Sequence, residues 1–461
     1  MPASDALRAM LPEHLLLGGV VLLILLSVLG RAVRASLGVA VLVVVAAAAA
    51  AFWLAEAKLV ASPFAGQFSV TPAILMAKGA LLALAVPVLL MARTEFADGE
   101  FPILLLTSLY GACLLPSADS YLVMFLGLEL LAMPVYALVL LAFRRPQSAE
   151  AAFKYLVLSG AASATFLMGV SLLYGATGSM AIDSFAQAMG SGASMPRAAH
   201  VLMLAALFLK AAIVPFHAWA PDTYEGASIP VTAYMATIIK GAVLLAAVRL
   251  FGDATVSGPM RGLLLLLPLV SIVWGNLAAI RQNSFRRLIG YSSIAHAGYL
   301  FYAFLGNPDG RMQAVVFYIV AYSAANLLAF ALVPDTDRDE QRDDLDNFRG
   351  LFSRDPMAAL LIGVAMLSLA GLPPFPGFVA KFVVFRNVVA AGYTTYAVLG
   401  LVGSYIGIYF YLRVIQLMFM SDGEPVPGAR RAGTMARSAG LLCLAATLLL
   451  AVLPGWAIGK F

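Results

Sequence analysis

The chain has 461 residues, of which 62% are hydrophobic and 11% charged, whereas a soluble domain carries about 25% charged residues; an aqueous fold cannot hide that much apolar side chain, which leaves a polytopic membrane protein. The formal charge of +5 (29 basic less 24 acidic) does not point to nucleic acid, because the basic residues sit in short loops between apolar runs, where orientation is encoded, and no basic, aromatic-rich patch is present. Cys113 and Cys443 lie inside separate apolar runs, so a CxxC metal or redox motif is excluded and buried thiols are expected.

The opening segment MPASDALRAMLPEH is polar, with acids and no compact basic region, so the first apolar run, 14–30, reads as a span and not as a cleaved leader. A helical span needs about 20 mostly apolar residues. Further runs of that kind lie at 36–56, 72–92, 101–117, 119–143, 149–175, 198–220, 227–251, 259–280, 287–306, 311–334, 356–388, 393–420 and 434–457. The expectation is an all-α integral membrane protein of about fourteen transmembrane helices. The runs are apolar on every face, without the period-two alternation of barrel strands. The stretch DTDRDEQRDDLDNFRG, starting at Asp335, is expected to be a solvated cytoplasmic linker.

Loop charge tests the count. Loops after odd-numbered spans hold Arg31, Arg34, Arg93, Arg144, Arg145, Arg281, Arg286, Arg287, Arg338, Arg342, Arg349, Arg354, Arg430, Arg431 and Arg437, fifteen in all. The other side holds Arg8, Lys58, Arg197, Arg261, Arg311 and Lys460, six in all. By the positive-inside rule both termini are expected outside the cytoplasm.

The chain also repeats itself. Glu150–Tyr155 and onward to Ala162 aligns with Gln313–Tyr318 and onward to Ala325, an offset of 163 that also places Gly127 on Gly290, Ala132 on Ala295 and Tyr136 on Tyr299. Near an offset of 159, Pro215-Phe216 falls on Pro374-Phe375 and Trp219 on Phe378. Spans four to eight (101–251) and nine to thirteen (258–420) therefore form two five-helix units, preceded by spans one to three (1–100) and followed by span fourteen (421–461). Five is odd, so the second unit is inverted relative to the first, an arrangement typical of transporters with broken helices beside a midplane ion site. The breaks are expected at Lys210-Ala-Ala-Ile-Val-Pro215 in span seven and at Gly371-Leu-Pro-Pro-Phe-Pro-Gly377 in span twelve, because proline removes a donor and clashes with the preceding turn. Such breaks persist at membrane depth only where protein or water satisfies the freed groups.

Ionisable residues inside spans are costly and so are candidates for function. They are Glu129 in span five, Lys154 in span six, Lys210 before the first break, Lys240 in span eight, His296 in span ten and Lys381 after the second break, with His217 between Pro215 and Asp222. Burial disfavours a lysine's charged form and a nearby carboxylate restores it. Moving Glu129 toward or away from a lysine would therefore load or release a proton, and His217 and His296 suit relay steps. Lys154 has snorkelling to the interface as its bland reading, and Lys78, outside the repeats, reads as structural. Asp222 and Glu225 sit in the loop after span seven, where Asp222 is expected to cap the first break or pair across it. HExxH, P-loop, cysteine-cluster and dinucleotide motifs are missing, so flavin, iron–sulfur and nucleotide are not expected on this chain.

The runs LFLKAAIVPFHAWAPDTYEGASIPVTAYM, FLGLELLAMPVYAL, LIGYSSIAHAGYLF and LAGLPPFPGFVAKF closely resemble the subunit N family of bacterial respiratory complex I, over roughly spans four to thirteen. The wider group includes subunits L and M and the Mrp-type cation/proton antiporters, which usually read PLHxWLPD after the broken helix. Here Pro215-Phe216-His217-Ala218-Trp219-Ala220-Pro221-Asp222, followed by Thr-Tyr-Glu225-Gly, resembles subunit N, and the long lateral helix of subunit L is not seen.

The resemblance implies a non-redox, proton-pumping membrane subunit of NADH:quinone oxidoreductase in the bacterial inner (plasma) membrane. Flavin, iron–sulfur clusters and quinone would sit in partner subunits. Subunits K and M and the lateral helix of L would be its neighbours, with lipid, protons and water. It implies Glu129 and Lys210 as a junction pair, Lys154, His217 and Lys240 in a central hydrophilic axis, and Lys381 as the terminal lysine. The alternatives are a subunit of an Mrp-type antiporter, driven by a gradient, and a structural membrane scaffold.

Overall fold

The computed structural model describes residues 3–29, 33–93, 95–96, 99–141, 146–306, 308, 310–334, 343–421 and 432–460. In chain order the helices are α1 (Ala3–Ala9), α2 (Leu11–Val28), α3 (Val33–Glu56), α4 (Pro72–Ala92), α5 (Glu100–Leu114), α6 (Tyr121–Leu140), α7 (Pro146–Thr177), α8 (Asp183–Ala188), α9 (Ser194–Ala211), α10 (Trp219–Gly226) and α11 (Ile229–Tyr234). They continue as α12 (Lys240–Phe251), α13 (Gly258–Ala279), α14 (Phe285–Tyr302), α15 (Arg311–Ala331), α16 (Leu351–Arg354), α17 (Pro356–Ala370), α18 (Pro376–Ala390), α19 (Thr394–Met420), α20 (Thr434–Val452) and α21 (Pro454–Lys460).

Local chemistry sets the helix ends. Thr71 accepts from the Ile74 amide at the start of α4, and Ser120, Ser284 and Asp355 do the same for α6, α14 and α17, each satisfying an orphan amide of the first turn. Prolines inside α4, α6 and α13 (Pro87, Pro134 and Pro268) are tolerated because neighbouring helices shield the freed carbonyls.

Among the described residues, eleven helices are long and apolar enough to cross a membrane. α9, α14 and the α17/α18 pair fall outside that group because α9 and α14 carry polar residues and α17 and α18 are short. The bundle has a definite centre. The stretches Ile229–Phe251 and Arg311–Ala331 are each 94% buried, whereas Leu11–Val28 and Thr434–Val452 are 28% buried and present Leu17, Val21, Leu441 and Leu448 outward. α12 and α15 are thus wrapped by the rest.

Four features depart from the sequence expectation. An antiparallel hairpin, β1 (Ala61–Phe64) and β2 (Phe68–Val70), interrupts the loop before α4. A π-helical turn, Met235–Ile239, sits inside span eight. The last span ends at Val452, with α21 separate. The charged run after Asp335 is only partly solvated where it is described: Asp346 and Arg349 are exposed, but Asp343 is 3% exposed and accepts from the first turn of α14, and Leu345 and Phe348 are buried. Residues 335–342 lie outside the described residues, as do Arg31, Arg144, Arg145, Arg338, Arg342, Arg430, Arg431 and the side chain of Arg34.

Candidate functional site: a row of buried lysines at two helix breaks

The two breaks follow one hydrogen-bond plan. At the end of α9 the Ala212 amide donates to the Leu209 carbonyl, Ile213 to Phe208, and Phe216 to Ile213. At the end of α17, Gly371 donates to Ser368, Leu372 to Leu367, and Phe375 to Leu372. Each residue of the second set is 159 positions beyond its counterpart. This is the Schellman arrangement, in which a left-handed residue turns the chain out of the helix; Ala212 has φ 61° and Gly371 φ 80°. Val214–Pro215 and Pro373–Pro374 are both cis.

Side-chain donors also reach the carbonyls of the last turn, and they differ between the two sites. At the first break, Trp219 Nε1 donates to the Leu209 carbonyl at 2.9 Å. At the second, Lys381 Nζ donates to the carbonyls of Leu369 (3.2 Å) and Ala370 (3.0 Å) and to Ser404 Oγ (2.9 Å). A cation at a helix C-terminus also meets the negative end of the helix dipole. The Lys381 ammonium lies 5.0 Å over the Tyr299 ring, and a Cβ on Gly371 would come within 2.9 Å of the Lys381 side chain.

Lys210, in the last turn of α9, is 6% exposed. Its Nζ lies 3.3 Å from Glu129 Oε1 on α6 and donates to Ser159 Oγ on α7 at 3.0 Å. Ser163, one turn along α7, donates to the same Glu129 oxygen and to the Ser159 carbonyl. The carboxylate is therefore held by Ser163 and only loosely by Lys210, since a charge-assisted bond normally closes to about 2.7–2.9 Å. Tyr155, Ser159, Lys210 and Trp219 line a small cavity here, about the size of one water molecule.

Lys240 follows the π turn at the bundle centre. Its Nζ donates to the Ser293 carbonyl at 2.7 Å and to Ser293 Oγ, and Tyr224 Oη lies 3.3 Å from that hydroxyl. His296, one turn on along α14, is boxed by aromatic rings. Its Nδ1 meets Tyr318 Oη at 2.9 Å and its Nε2 meets Tyr411 Oη at 3.2 Å, with the Tyr322 ring 4.6 Å away. A second water-sized cavity is lined by His296, Tyr318, Tyr322 and Ser368. Tyr318 and Tyr322 are the 163-offset counterparts of Tyr155 and Ser159 in the first. Among the described residues, no carboxylate forms an ion pair with Lys240 or Lys381.

Two of the expected residues sit elsewhere. Lys154 is 39% exposed and pairs with Glu150 and Asp222, each at 2.7 Å; Asp222 and Glu225 in turn pair with Arg287 at 2.7 and 2.9 Å. Lys154 is thus five residues, about 7.5 Å of helix, from Ser159 and belongs to a half-exposed network. His217 accepts from Trp274 Nε1 at 2.9 Å on a face where Trp274 is 49% exposed, and it makes no hydrogen bond to the lysines among the described residues.

The sequence reading missed Ser159, Ser163, Ser293 and Ser404. It also missed Glu13, which meets Lys78 at 2.6 Å with both side chains fully buried. Serine in a span is common, and only the four-residue spacing of Ser159 and Ser163 hinted at a shared face.

The family model described as "NADH:quinone oxidoreductase/Mrp antiporter, TM" matches residues 118–407. NADH-quinone oxidoreductase subunit N of Pelobacter propionicus is 38% identical over 430 residues, 92% of this chain and 91% of the relative. Subunit N of Syntrophotalea carbinolica is 35% identical over 466 residues, 98% and 97% of the two chains. A chain of respiratory complex I from Thermus thermophilus superposes with a TM-score of 0.84 at 34% identity, covering 97% of this chain and 98% of that one. A chain of the Mrp complex from Dietzia sp. superposes with a TM-score of 0.85 at 20% identity, covering 99% and 96%, a likeness of fold alone.

Proposed function

We propose, proceeding from the fact that this chain belongs to the subunit N family of NADH-quinone oxidoreductases, that it translocates protons along the row Glu129–Lys210, Lys240, His296 and Lys381. The eleven candidate spans become fourteen once α9 with α10, α14, and α17 with α18 are counted as crossings. The shared hydrogen-bond plan of the two breaks supports reading 101–251 and 258–420 as inverted copies of one unit, with 1–100 and 421–461 flanking them. On that topology and the arginine asymmetry, both termini face away from the cytoplasm of a bacterial inner (plasma) membrane. Subunits K and M and the lateral helix of L are its neighbours, and redox groups reside in partner subunits.

The observation that carries this reading is the seat of Lys210. An ammonium that is 6% exposed is offered a carboxylate at only 3.3 Å, and that carboxylate is shared with a serine. A small displacement of Glu129 therefore changes the electrostatic support of the ammonium by much more than it would in water, and a proton is released or taken up. Among the described residues Lys240 and Lys381 have no carboxylate partner, and their ammonium forms are held by carbonyls and hydroxyls, with the Tyr299 ring beside Lys381. In this reading Lys154, in its carboxylate network, and His217, on its exposed face, stand beside the row and not in it. The relatives at 38% and 35% identity are subunits N, whereas the gradient-driven Mrp alternative is carried only by the family model, which covers both groups, and by fold.

The test is proton translocation driven by NADH oxidation in vesicles carrying the assembled complex. Lys210→Ala is expected to lower it several-fold with the complex present at normal abundance, and Glu129→Ala to lower pumping more than assembly. Wild-type pumping by Lys210→Ala would sink the reading in favour of a membrane scaffold.

A further inference from the structure

We propose that Ser159, Ser293 and Ser404 are positioning residues for proton transfer. They are the partners that let Lys210, Lys240 and Lys381 exist both with and without a proton, whereas Lys78 and Lys154 are permanent charges. The proposal rests on the reading above and decides which lysines of the bundle turn over.

An ammonium offers three donors and no acceptor. Once it loses a proton, the amine carries a lone pair that requires a donor. Carboxylates and carbonyls only accept, so they hold the ammonium well and face the lone pair with nothing to give. A hydroxyl accepts through oxygen and donates through a hydrogen that rotates to suit. A hydroxyl partner therefore stabilises a buried lysine in both of its states, whereas a lysine held only by acceptors is biased toward its charged form.

The described residues divide along this line. Lys210 has Ser159 Oγ at 3.0 Å, Lys381 has Ser404 Oγ at 2.9 Å, and Lys240 is bonded to Ser293 Oγ. These serines come from three different helices, α7, α19 and α14, and none is more than 7% exposed. Lys78 has Glu13 at 2.6 Å and the Phe68 ring. Lys154 has Glu150 and Asp222. Neither has a hydroxyl partner among the described residues.

Helical hydroxyls often bond the carbonyl four residues back, as Thr237, Ser271 and Thr447 do, and others, such as Ser108 and Ser148, reach a carbonyl on another helix. Ser159, Ser293 and Ser404 are instead aimed across the bundle at a lysine on another helix. The proton balance is simple. The proton leaves Lys Nζ for a water molecule and returns from one, while the serine keeps its own proton and only its O–H turns from accepting to donating.

The experiment uses the assembled complex in vesicles and reads NADH-driven proton translocation against pH, with complex abundance measured in parallel. Ser293→Ala and Ser404→Ala are expected to lose several-fold in translocation with a displaced pH profile, and Ser293→Thr and Ser404→Thr, which keep the hydroxyl, to recover most of it. Lys240→Arg, which cannot deprotonate, is expected to stop pumping, and Lys154→Arg to pump as wild type. Normal pumping by both alanine variants overturns the proposal, as does a threonine variant that fails like alanine in a fully assembled complex, or loss of pumping in Lys154→Arg. Normal pumping by Lys240→Arg would overturn the proton-row reading itself, so the two failures are distinguishable.

Discussion

Asp343 carries the strongest electrostatic arrangement outside the spans. Its carboxylate accepts from Arg286 Nη2 (2.8 Å), Ser284 Oγ (2.7 Å) and the Arg286 amide (3.1 Å) at the first turn of α14, where the helix dipole favours a negative charge. Burial pushes the carboxyl up, but Arg286 and these donors outweigh it and bring it down to about 2 from an ordinary 3.8. A depressed carboxyl contributes stability that is complete above its unfolded pKa and lost as pH falls through the folded one, so the window runs from about pH 4 down to about pH 2. Asp343→Asn leaves Arg286 buried and unpaired, which is expected to cost about 3–5 kcal/mol at neutral pH. Thermal unfolding of the detergent-solubilised protein should show a deficit that narrows below pH 4. This residue was illegible in the sequence because it stands in a run of acids, and its partner is 57 positions away. The serines were illegible for a related reason: a hydroxyl's role depends on what it faces. The charged residues could be found without a structure, since an ionisable group within an apolar run is conspicuous by cost alone.

At the scale of elements, the breaks were the most legible feature. Proline in an apolar run forces a discontinuity wherever the run sits, and helices stop at Ala211, within the first expected segment, and at Ala370, one residue before the second. The π turn before Lys240 and the hairpin before α4 left no comparable mark, because neither needs a residue type that the surrounding run lacks. The paired breaks also make a prediction about their left-handed caps. At Ala212, φ 61° strains a residue with a Cβ, so Ala212→Gly is expected to be neutral or to stabilise by up to about 1 kcal/mol. Gly371→Ala meets both penalties at once, since φ is 80° and the new Cβ would lie 3.0 Å from Lys381 Nζ. It is expected to lower the unfolding temperature and to displace Lys381 from the Leu369 and Ala370 carbonyls, with loss of pumping. Equal unfolding temperatures for Gly371→Ala and wild type would contradict this account of the second break.

Across the whole molecule, composition and run length gave the class and order of spans, because lipid tolerates only long apolar helices or closed barrels. They did not reveal which helices form the centre, since an all-apolar run looks alike against lipid and against protein. The N-terminal helices show what pins such runs together. Glu13 on α2 and Lys78 on α4 meet at 2.6 Å, fully buried, with Phe68 of the hairpin 4.6 Å from the ammonium. The hairpin is tied in turn to the start of α6 and the end of α12 through Gln67–Ser120, Ser69–Asp119 and Asp119–Arg249. A buried ion pair specifies register better than it adds stability, because desolvation offsets most of its attraction. Glu13→Leu or Lys78→Met alone should therefore cost about 3–5 kcal/mol by stranding one charge, while the double variant returns to within about 1–2 kcal/mol of wild type. Unfolding temperatures of the four proteins in one detergent would measure that coupling; additive single and double costs would mean that the pair is not the joint. If Lys78 is a fixed charge, the double variant should also pump protons at the wild-type rate per assembled complex. A pumping defect in a double variant of normal stability would move Glu13 and Lys78 from the frame of the molecule into its proton path.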